Sequence, residues 1–271
     1  MSDDPLLRCS DVVVTFRQKQ ARTVLQAVTS ASLDVGRGQI VGLVGESGSG
    51  KSTLARAVVG LQPIDSGSIT FEGRTFGARR NRADRRGIQM VFQDPYGSLD
   101  PRMTIRGTLE EMLRRHTELR GKALDARCCE LMEMVRLPAS LLTSRPAGMS
   151  GGQRQRVAIA RALSIKPRLL VADEPVAALD VSVQAGIVNL LSDLRDEVGL
   201  SILFISHDLS IVRTLCDRVS VIYRGKIVEE RSCAELFEDP HDDYTKELLA
   251  AIPRLRGPRT EGLRDGSSLA F

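Results

Sequence analysis

Apolar runs along the chain predict strands of two kinds. Runs that are apolar at nearly every position are typical of parallel strands covered by helices on both faces, and they occupy residues 39–44, 88–92, 169–172 and 201–205. Looser alternation predicts a strand at 6–16, and further strands are expected at 25–35 and 68–71. Because 6–16 and 25–35 precede 39–44 so closely, we expect a small antiparallel sheet beside the main core.

Helices are predicted where apolar residues recur every three or four positions, at 108–119, 122–137 and 181–197, with shorter helices at 51–61, 154–164, 209–215, 234–238 and 244–251. The stretch 94–166 is therefore predicted to be a helical insertion, which leaves a core of 6–93 and 167–252. The remaining segments are a surface loop, a hairpin and a flexible polar tail, predicted at 77–86, 218–230 and 253–271.

A glycine-rich stretch between the predicted strand 39–44 and the predicted helix 51–61 fits the phosphate-binding pattern G-x-x-x-x-G-K-[ST]. It consists of Gly45, Glu46, Ser47, Gly48, Ser49, Gly50, Lys51, Ser52 and Thr53. Glycines allow successive N–H groups to face one anion, and the helix N-terminus adds its positive end at the same place. Lys51 supplies a charge for the β- and γ-phosphates, and Ser52 supplies an oxygen for Mg²⁺.

Polar residues follow three of the predicted buried strands where each strand ends. Gln93 follows 88–92, Asp173 and Glu174 follow 169–172, and His207 follows 201–205. Phosphoryl transfer needs a phosphate cradle, a metal, a carboxylate that holds the metal and a group that directs water. Behind a phosphate loop, this set of residues predicts hydrolysis of a nucleoside triphosphate.

Bulk composition narrows the class of protein. The 271 residues have a formal charge of +4, a dispersed excess that does not favour nucleic acid as a partner. None of the five cysteines forms a C-x-x-C or metal-ligand spacing, which indicates free thiols in a reducing compartment. Residues 1–5 do not have the pattern of a signal peptide, and no apolar run approaches the roughly 18 residues of a membrane span.

In order and type, these motifs resemble the ATPase subunits of ABC transporters, over residues 6–252. The phosphate loop is followed by Gln93, the sequence Ser-Gly-Gly-Gln at 150–153, Asp173-Glu174, Asp180 and His207. The Ser-Gly-Gly-Gln stretch is specific, because other phosphate-loop families lack it. Residues 92–104, 179–185 and 241–249 resemble the peptide and nickel importers in particular. The resemblance implies an α/β fold with a P-loop NTPase core, a small antiparallel β subdomain and an inserted α-helical subdomain.

The same resemblance implies a role for each strand-end residue. Ser52, Gln93 and Asp173 would hold Mg²⁺, with Asp173 acting through water. Glu174 would polarise the attacking water, and His207 would contact the γ-phosphate and position Glu174. Gln93 would also sense the γ-phosphate.

Other residues are implied to bind ATP from elsewhere in the fold. Phe16 would stack on adenine, and Asp180 would lie at the seam of a dimer. A second helix start would face the γ-phosphate held by a partner subunit, and it comprises Ser150, Gly151, Gly152 and Gln153. ATP would thus be shared between two chains.

The implied partners follow from this reading. They are a second ABC ATPase subunit, identical or different, and two integral membrane permease subunits, with a periplasmic or extracellular solute-binding protein as an indirect partner. The protein would then be peripheral on the cytoplasmic face of the inner membrane. Residues 94–104 would hold part of the groove for a permease helix, through the apolar groups around Tyr96, Leu99 and Met103; the other interpretation is that Tyr96 and Leu99 pack inward.

Two other functions remain open on the sequence. Accessory ATPases of C–P lyase complexes resemble peptide-importer subunits closely and cross no membrane. A regulatory module that binds ATP without hydrolysing it is the third possibility, and the presence of Glu174 and His207 argues against it. The sequence does not identify the transported solute, because this subunit does not touch it.

Overall fold

The computed structural model describes residues 4–17, 24–77 and 80–251. The predicted tail 253–271 lies outside these residues. Within them the strands are β1 (Leu7–Arg17), β2 (Val24–Val35), β3 (Ile40–Val44), β4 (Ser66–Phe71), β5 (Arg74–Thr75), β6 (Ile88–Val91), β7 (Leu169–Asp173), β8 (Ser201–Ser206), β9 (Arg218–Tyr223) and β10 (Lys226–Ser232).

The helices of the described residues are α1 (Lys51–Val59), α2 (Arg82–Gly87), α3 (Pro95–Ser98), α4 (Ile105–His116), α5 (Gly121–Met134), α6 (Gly151–Leu163), α7 (Val181–Val198), α8 (Leu209–Leu215), α9 (Cys233–Glu238) and α10 (Asp243–Ala250). Two 3₁₀ turns connect α5 to α6 and occupy Ala139–Thr143 and Pro146–Gly148. The boundary between core and helical insertion, predicted at 94 and 166, stays a prediction.

All ten described strands form one sheet in the order β5-β4-β1-β2-β10-β9-β3-β8-β7-β6. The strands β9, β3, β8, β7 and β6 run parallel, as predicted for the apolar runs of β3, β6, β7 and β8. The strand β9 also pairs antiparallel with β10, which confirms the hairpin predicted at 218–230. The strands β5, β4, β1 and β2 pair antiparallel, and β2 meets β10 at the single pair Ser30 and Lys226. The predicted antiparallel strands therefore extend the main sheet at one edge.

Alternate residues of the parallel strands pack on opposite faces of the sheet. On β3, Ile40 and Val44 pack with the helices α4 to α9, whereas Val41 and Leu43 pack with α1 and the antiparallel strands. A strand that is buried on both faces needs apolar residues at every position, which is why period two is absent from its sequence. The fold class predicted from the sequence is confirmed.

Several predicted bounds differ from the structure, and two of these differences share one physical cause. The stretch 77–86, predicted as a loop, contains the start of α2, because Asn81 and Asp84 form a capping box in which each side chain accepts from the other's backbone N–H. The helix predicted at 108–119 begins three residues earlier as α4, since the Thr104 hydroxyl accepts from the Gly107 N–H and caps it. Both errors arise from side-chain caps that apolar periodicity does not register.

Candidate nucleotide site

The glycine-rich loop between β3 and α1 has a backbone that only glycine can adopt at two positions. Gly45 has φ 153° and Gly50 has φ 110°. A Cβ atom at these positions would lie 2.2 Å from the Ile222 carbonyl oxygen and 2.5 Å from the Ala27 carbonyl oxygen. Gly50 is also the N-cap of α1 and offers no side-chain cap, so the N–H groups of the first helical turn are left for another acceptor. Ser47 and Gly48 form the exposed tip of the loop.

Lys51, the first residue of α1, points back into the loop. Its ammonium group donates to the carbonyl oxygens of Gly45 and Glu46, each at 2.7 Å. Burial lowers the pKa of Lys51, and the nearby carboxylates of Glu174, Asp173 and Glu46 oppose that shift. The loop therefore holds a buried cation against its own backbone, with carboxylates of the loop itself and of the end of β7 close by.

Ser52 links the loop to the end of β7. Its hydroxyl donates to Asp173 Oδ1 at 2.9 Å. Burial raises the pKa of Asp173, whereas the Ser52 hydrogen bond and the Arg56 charge lower it. Thr53 follows on the first turn of α1 and is half-buried.

Glu174 lies at the centre of a second group of polar side chains. Its Oε2 atom accepts from Gln93 Nε2 at 3.0 Å and lies 3.3 Å from His207 Nδ1. The backbone of Glu174 is left-handed, with φ 46°, and its N–H donates to the Ile205 carbonyl at 3.0 Å. The Glu174 side chain is 16% exposed and that of His207 is 60% exposed, so the cluster opens to solvent on the histidine side.

Parallel register is the reason these residues meet. Val44 of β3 pairs with Ser206 of β8, and Asp173 of β7 pairs with Ile205 of β8. The carboxyl ends of neighbouring parallel strands therefore lie at one edge of the sheet, where a ligand crevice forms in open α/β folds. The structure thus brings together the loop 45–53, Gln93, the pair Asp173–Glu174 and His207.

A second helix start, that of α6, has a different construction. The Ser150 hydroxyl accepts from the Gln153 N–H at 3.2 Å, and the Gln153 side chain accepts from the Ser150 N–H at 2.9 Å. Next to Ser150, Gly152 packs on the start of α7, because a Cβ at Gly152 would lie 2.3 Å from Val183 Cγ1, and Gly151 lies against Leu179, which precedes α7. Within the described part of the chain, no hydrogen bond joins Ser150–Gln153 to the loop 45–53.

Asp180 and Phe16 lie outside the strand-end cluster. Asp180 caps α7 by accepting from the Val183 N–H at 3.0 Å and from the Ser182 hydroxyl at 2.9 Å. The Val183 N–H, followed by the Ser182 hydroxyl, lowers the pKa of Asp180. Phe16 is 38% exposed near the end of β1, paired with Leu25 of β2. The ring of Phe16 is therefore available to a planar ligand, and the roles predicted for both residues stay predictions.

Tyr244 is a contact of the loop that sequence reasoning did not identify. The Glu46 N–H donates to its hydroxyl at 2.9 Å. The segment 241–249 contributed to the family resemblance, but nothing in it indicated contact with residues almost 200 positions earlier. Only the position of α10 beside the loop reveals it.

The donors at the loop suit a magnesium ion better than a transition metal. Mg²⁺ prefers oxygen ligands and usually keeps substrate phosphates and waters as the others. Ser52 and Asp173 place two oxygens 2.9 Å apart at the start of α1, and Gln93 adds an amide. Among the described residues, no group of three or more His, Cys, Asp or Glu side chains is placed to hold a metal by itself.

Comparison with known proteins places these features in a family. The family model described as ABC transporter matches residues 28–177. A Brucella abortus (strain 2308) protein, named as a peptide import ATP-binding protein, is 48% identical over 93% of this chain and 78% of its own length. A protein of the same description from Brucella ovis is 46% identical over 93% of this chain and 80% of its own length.

Solved structures agree with the fold. An ATP-binding cassette in a dimeric post-hydrolysis state, bound to ADP and Pi, has a TM-score of 0.75 and 27% identity over 84% of this chain and 98% of that one. A Clostridium perfringens protein, part of an ABC transporter complex, has a TM-score of 0.77 and 26% identity over 93% of this chain and 97% of that one. Within the described residues, no helix has the length and hydropathy to span a membrane.

Proposed function

The chain belongs to the ABC transporter family, and on that premise we propose that it is the ATP-hydrolysing subunit of a peptide importer. The observation that carries the proposal is the position of Glu174, whose carboxylate contacts Gln93 and His207 beside the loop 45–53. A carboxylate in that position is suited to polarising a water molecule. Nickel chelates are the second candidate cargo, on the resemblance of residues 92–104, 179–185 and 241–249 to the peptide and nickel importers.

In this proposal the loop binds ATP and Mg²⁺ together. The uncapped N–H groups at the start of α1 and the ammonium of Lys51 face the β- and γ-phosphates. Ser52 and Asp173 would hold Mg²⁺, with Asp173 acting through water, and Gln93 would complete the set of residues around it. When bound, the ion neutralises charge that develops on the phosphate oxygens.

The catalytic roles fall on two residues of neighbouring strands. Glu174 accepts hydrogen bonds and directs the attacking water, and its left-handed backbone fixes the carboxylate at the strand end. His207, 3.3 Å from Glu174, positions that carboxylate and contacts the γ-phosphate. Gln93 donates to Glu174 and therefore connects the phosphate site to residues 94–104, which directly follow Gln93 in the chain.

Dimerisation completes the site in this proposal. The second helix start, at Ser150–Gln153, faces the γ-phosphate held by a partner ATPase subunit, and Asp180 lies at the seam. The capped α6 has no hydrogen bond to the loop of its own chain among the described residues. Phe16 stacks on the adenine ring of ATP bound to its own chain.

Permease subunits are the proposed membrane partners, and the protein is then peripheral on the cytoplasmic face. The structure corrects one element of the docking groove expected at residues 94–104. Leu99 is 3% exposed and packs in the core, as the inward alternative held, whereas Pro101 and Arg102 are exposed and Met103 is half-buried. The side chains of Pro95 and Tyr96 lie outside the described residues. The proposed contact therefore rests on Pro101 to Met103.

Two measurements on the protein from its own cells test the proposal. The wild type should release phosphate from ATP, and it should sediment with membranes and copurify with permease peptides. Substituting Pro101 and Arg102 with Asp should release it to the soluble fraction and leave ATP affinity unchanged. A protein that hydrolyses ATP but copurifies only with soluble enzymes would instead support the accessory-ATPase alternative.

A further inference from the structure

We propose that Tyr244 is a positioning residue for ATP binding, holding the first turn of the phosphate loop from outside. The hydroxyl of Tyr244 accepts from the Glu46 N–H at 2.9 Å, although 198 positions separate the two residues. The proposal rests on the proposed function of the loop, and it assigns part of that function to α10.

Glu46 is held through both of its peptide groups. On one side its N–H donates to Tyr244, and on the other its carbonyl oxygen accepts from Lys51 Nζ at 2.7 Å. The same carbonyl also accepts from the Ser49 N–H at 3.2 Å. The Gly45 carbonyl, which also accepts from Lys51 Nζ at 2.7 Å, belongs to the same peptide group as the Glu46 N–H. A displacement at Glu46 would therefore move both carbonyl oxygens that orient the ammonium of Lys51. Tyr244 acts on the phosphates through this residue and does not touch them.

The helix that carries Tyr244 is itself anchored on the sheet. Buried Glu229 of β10 accepts from the backbone N–H groups of His241 and Asp242, at 2.9 and 3.0 Å. Asp242 then caps α10 by accepting from the Tyr244 N–H at 2.9 Å. Burial raises the pKa of the Glu229 carboxyl, but the hydrogen bonds and charges around the carboxylate, first of all these two N–H groups, together outweigh burial and make the net shift downward. The carboxylate thus remains charged and holds the start of α10.

The ring and the hydroxyl of Tyr244 have separable contacts. The ring stacks on that of Tyr223, with centroids 4.1 Å apart, and this contact needs no hydroxyl. The hydroxyl reaches the loop. Phenylalanine at 244 would keep the stack and remove only the bond to Glu46. This separation allows the positioning role to be tested without removing the packing.

The first experiment compares Tyr244→Phe with Tyr223→Phe in the full chain. Within the described residues the Tyr223 hydroxyl forms no hydrogen bond, so the second variant loses a hydroxyl from the same stack without losing a loop contact. A net hydrogen bond of ordinary strength corresponds to roughly threefold to tenfold in affinity. Tyr244→Phe should weaken ATP binding by that factor, and Tyr223→Phe should bind as the wild type does.

Two further readouts separate positioning from general stabilisation. Amide hydrogen exchange at Glu46 should be faster in Tyr244→Phe only. KM for ATP should rise while kcat at saturation stays at the wild-type value, because the lost contact is made equally before and during the reaction. Equal affinity in both variants, or weaker binding without faster exchange at Glu46, would overturn the proposal. A wild type that does not bind ATP would instead refute the proposed function of the loop.

Discussion

Two helix starts in this protein have opposite constructions. The helix α1 begins at Gly50, which gives its first turn no side-chain cap, whereas α6 begins at Ser150 in a complete capping box with Gln153. Both starts carry the positive end of a helix dipole, and both are predicted to bind phosphate. At α1 the N–H groups are open and a buried lysine is beside them; at α6 part of the binding capacity is already satisfied by its own side chains.

This difference indicates how each region keeps its shape. The loop before α1 is held by contacts from other segments, because the Gly225 N–H donates to the Ser49 carbonyl at 2.8 Å and the Tyr244 hydroxyl accepts from the Glu46 N–H. The start of α6 is held by its cap and by the contact between Gly152 and Val183 of α7. In the proposed dimer the start of α6 meets phosphate only when a partner subunit is bound, and until then its own cap satisfies part of its N–H groups.

The largest expected effect is on turnover at the strand ends. Glu174→Gln keeps the size of the side chain but cannot polarise water, so phosphate release should fall roughly a hundredfold or more while ATP binding is retained. Steady-state phosphate release next to equilibrium ATP binding measures both. Phosphate release close to the wild-type rate would show that Glu174 does not polarise the attacking water.

The comparison itself is tested by one substitution in each region. Lys51→Ala should abolish measurable ATP affinity, because it removes the buried cation of the loop. Ser150→Arg should leave affinity intact and abolish turnover, since the second helix start is proposed to serve the partner's ATP. Titration with a non-hydrolysed ATP analogue and ATPase assays measure the two properties. Equal loss of affinity in both variants would contradict a site completed by a second chain.

Removing the cap of α6 should have a smaller effect. Ser150→Ala should lower the free energy of unfolding by about 1 kcal/mol, the usual cost of losing an N-cap. Thr104→Ala is the matched control, because Thr104 caps α4 by accepting from the Gly107 N–H at 3.1 Å. Both variants should lose similar stability in denaturant titrations, and only Ser150→Ala should also lose ATPase activity. Equal activity in the two would indicate that Ser150 is only a cap.

The smallest expected effects concern how stability and ATP binding depend on pH. Burial lowers the pKa of Lys51 from its ordinary 10.5, so just below pH 10.5 part of the folded protein has a neutral lysine. Between the lowered pKa and pH 10.5 the unfolded chain binds more protons at this lysine than the folded chain does. The free energy of unfolding should therefore rise with pH over this range, because the cost of burying the charge disappears. ATP binding should take up protons there, measured by calorimetry in two buffers of different ionisation enthalpy. No uptake in wild type would contradict a lowered pKa.

The stability that the Asp180 cap of α7 contributes changes only at acidic pH. The hydrogen bonds that Asp180 accepts lower its pKa below 3.8, so its contribution is complete above 3.8 and is lost only as pH falls through the lowered value. Wild type and Asp180→Asn should therefore have the same stability difference at pH 5 and at pH 7. A difference that changes between these two values would show that another group titrates.

The pattern of apolar residues and the spacing of motifs were enough to predict the fold class and the phosphate loop. Four apolar runs, the glycine pattern at 45–50 and polar residues at three strand ends were enough, because burial on both faces and a tight phosphate turn each demand particular residue types. The same local rules misplaced α2 and the start of α4, whose capping side chains break the apolar pattern.

Which side chains contact each other could be read only from the packed fold. Glu174 meets Gln93 and His207 because β6, β7 and β8 are neighbours in register, and Leu99 is buried because helices cover it. Tyr244 reaches Glu46 because Glu229 fixes the start of α10 beside the loop. Contacts between residues so far apart in the chain depend on the packing of whole elements, and no local pattern of residues specifies them.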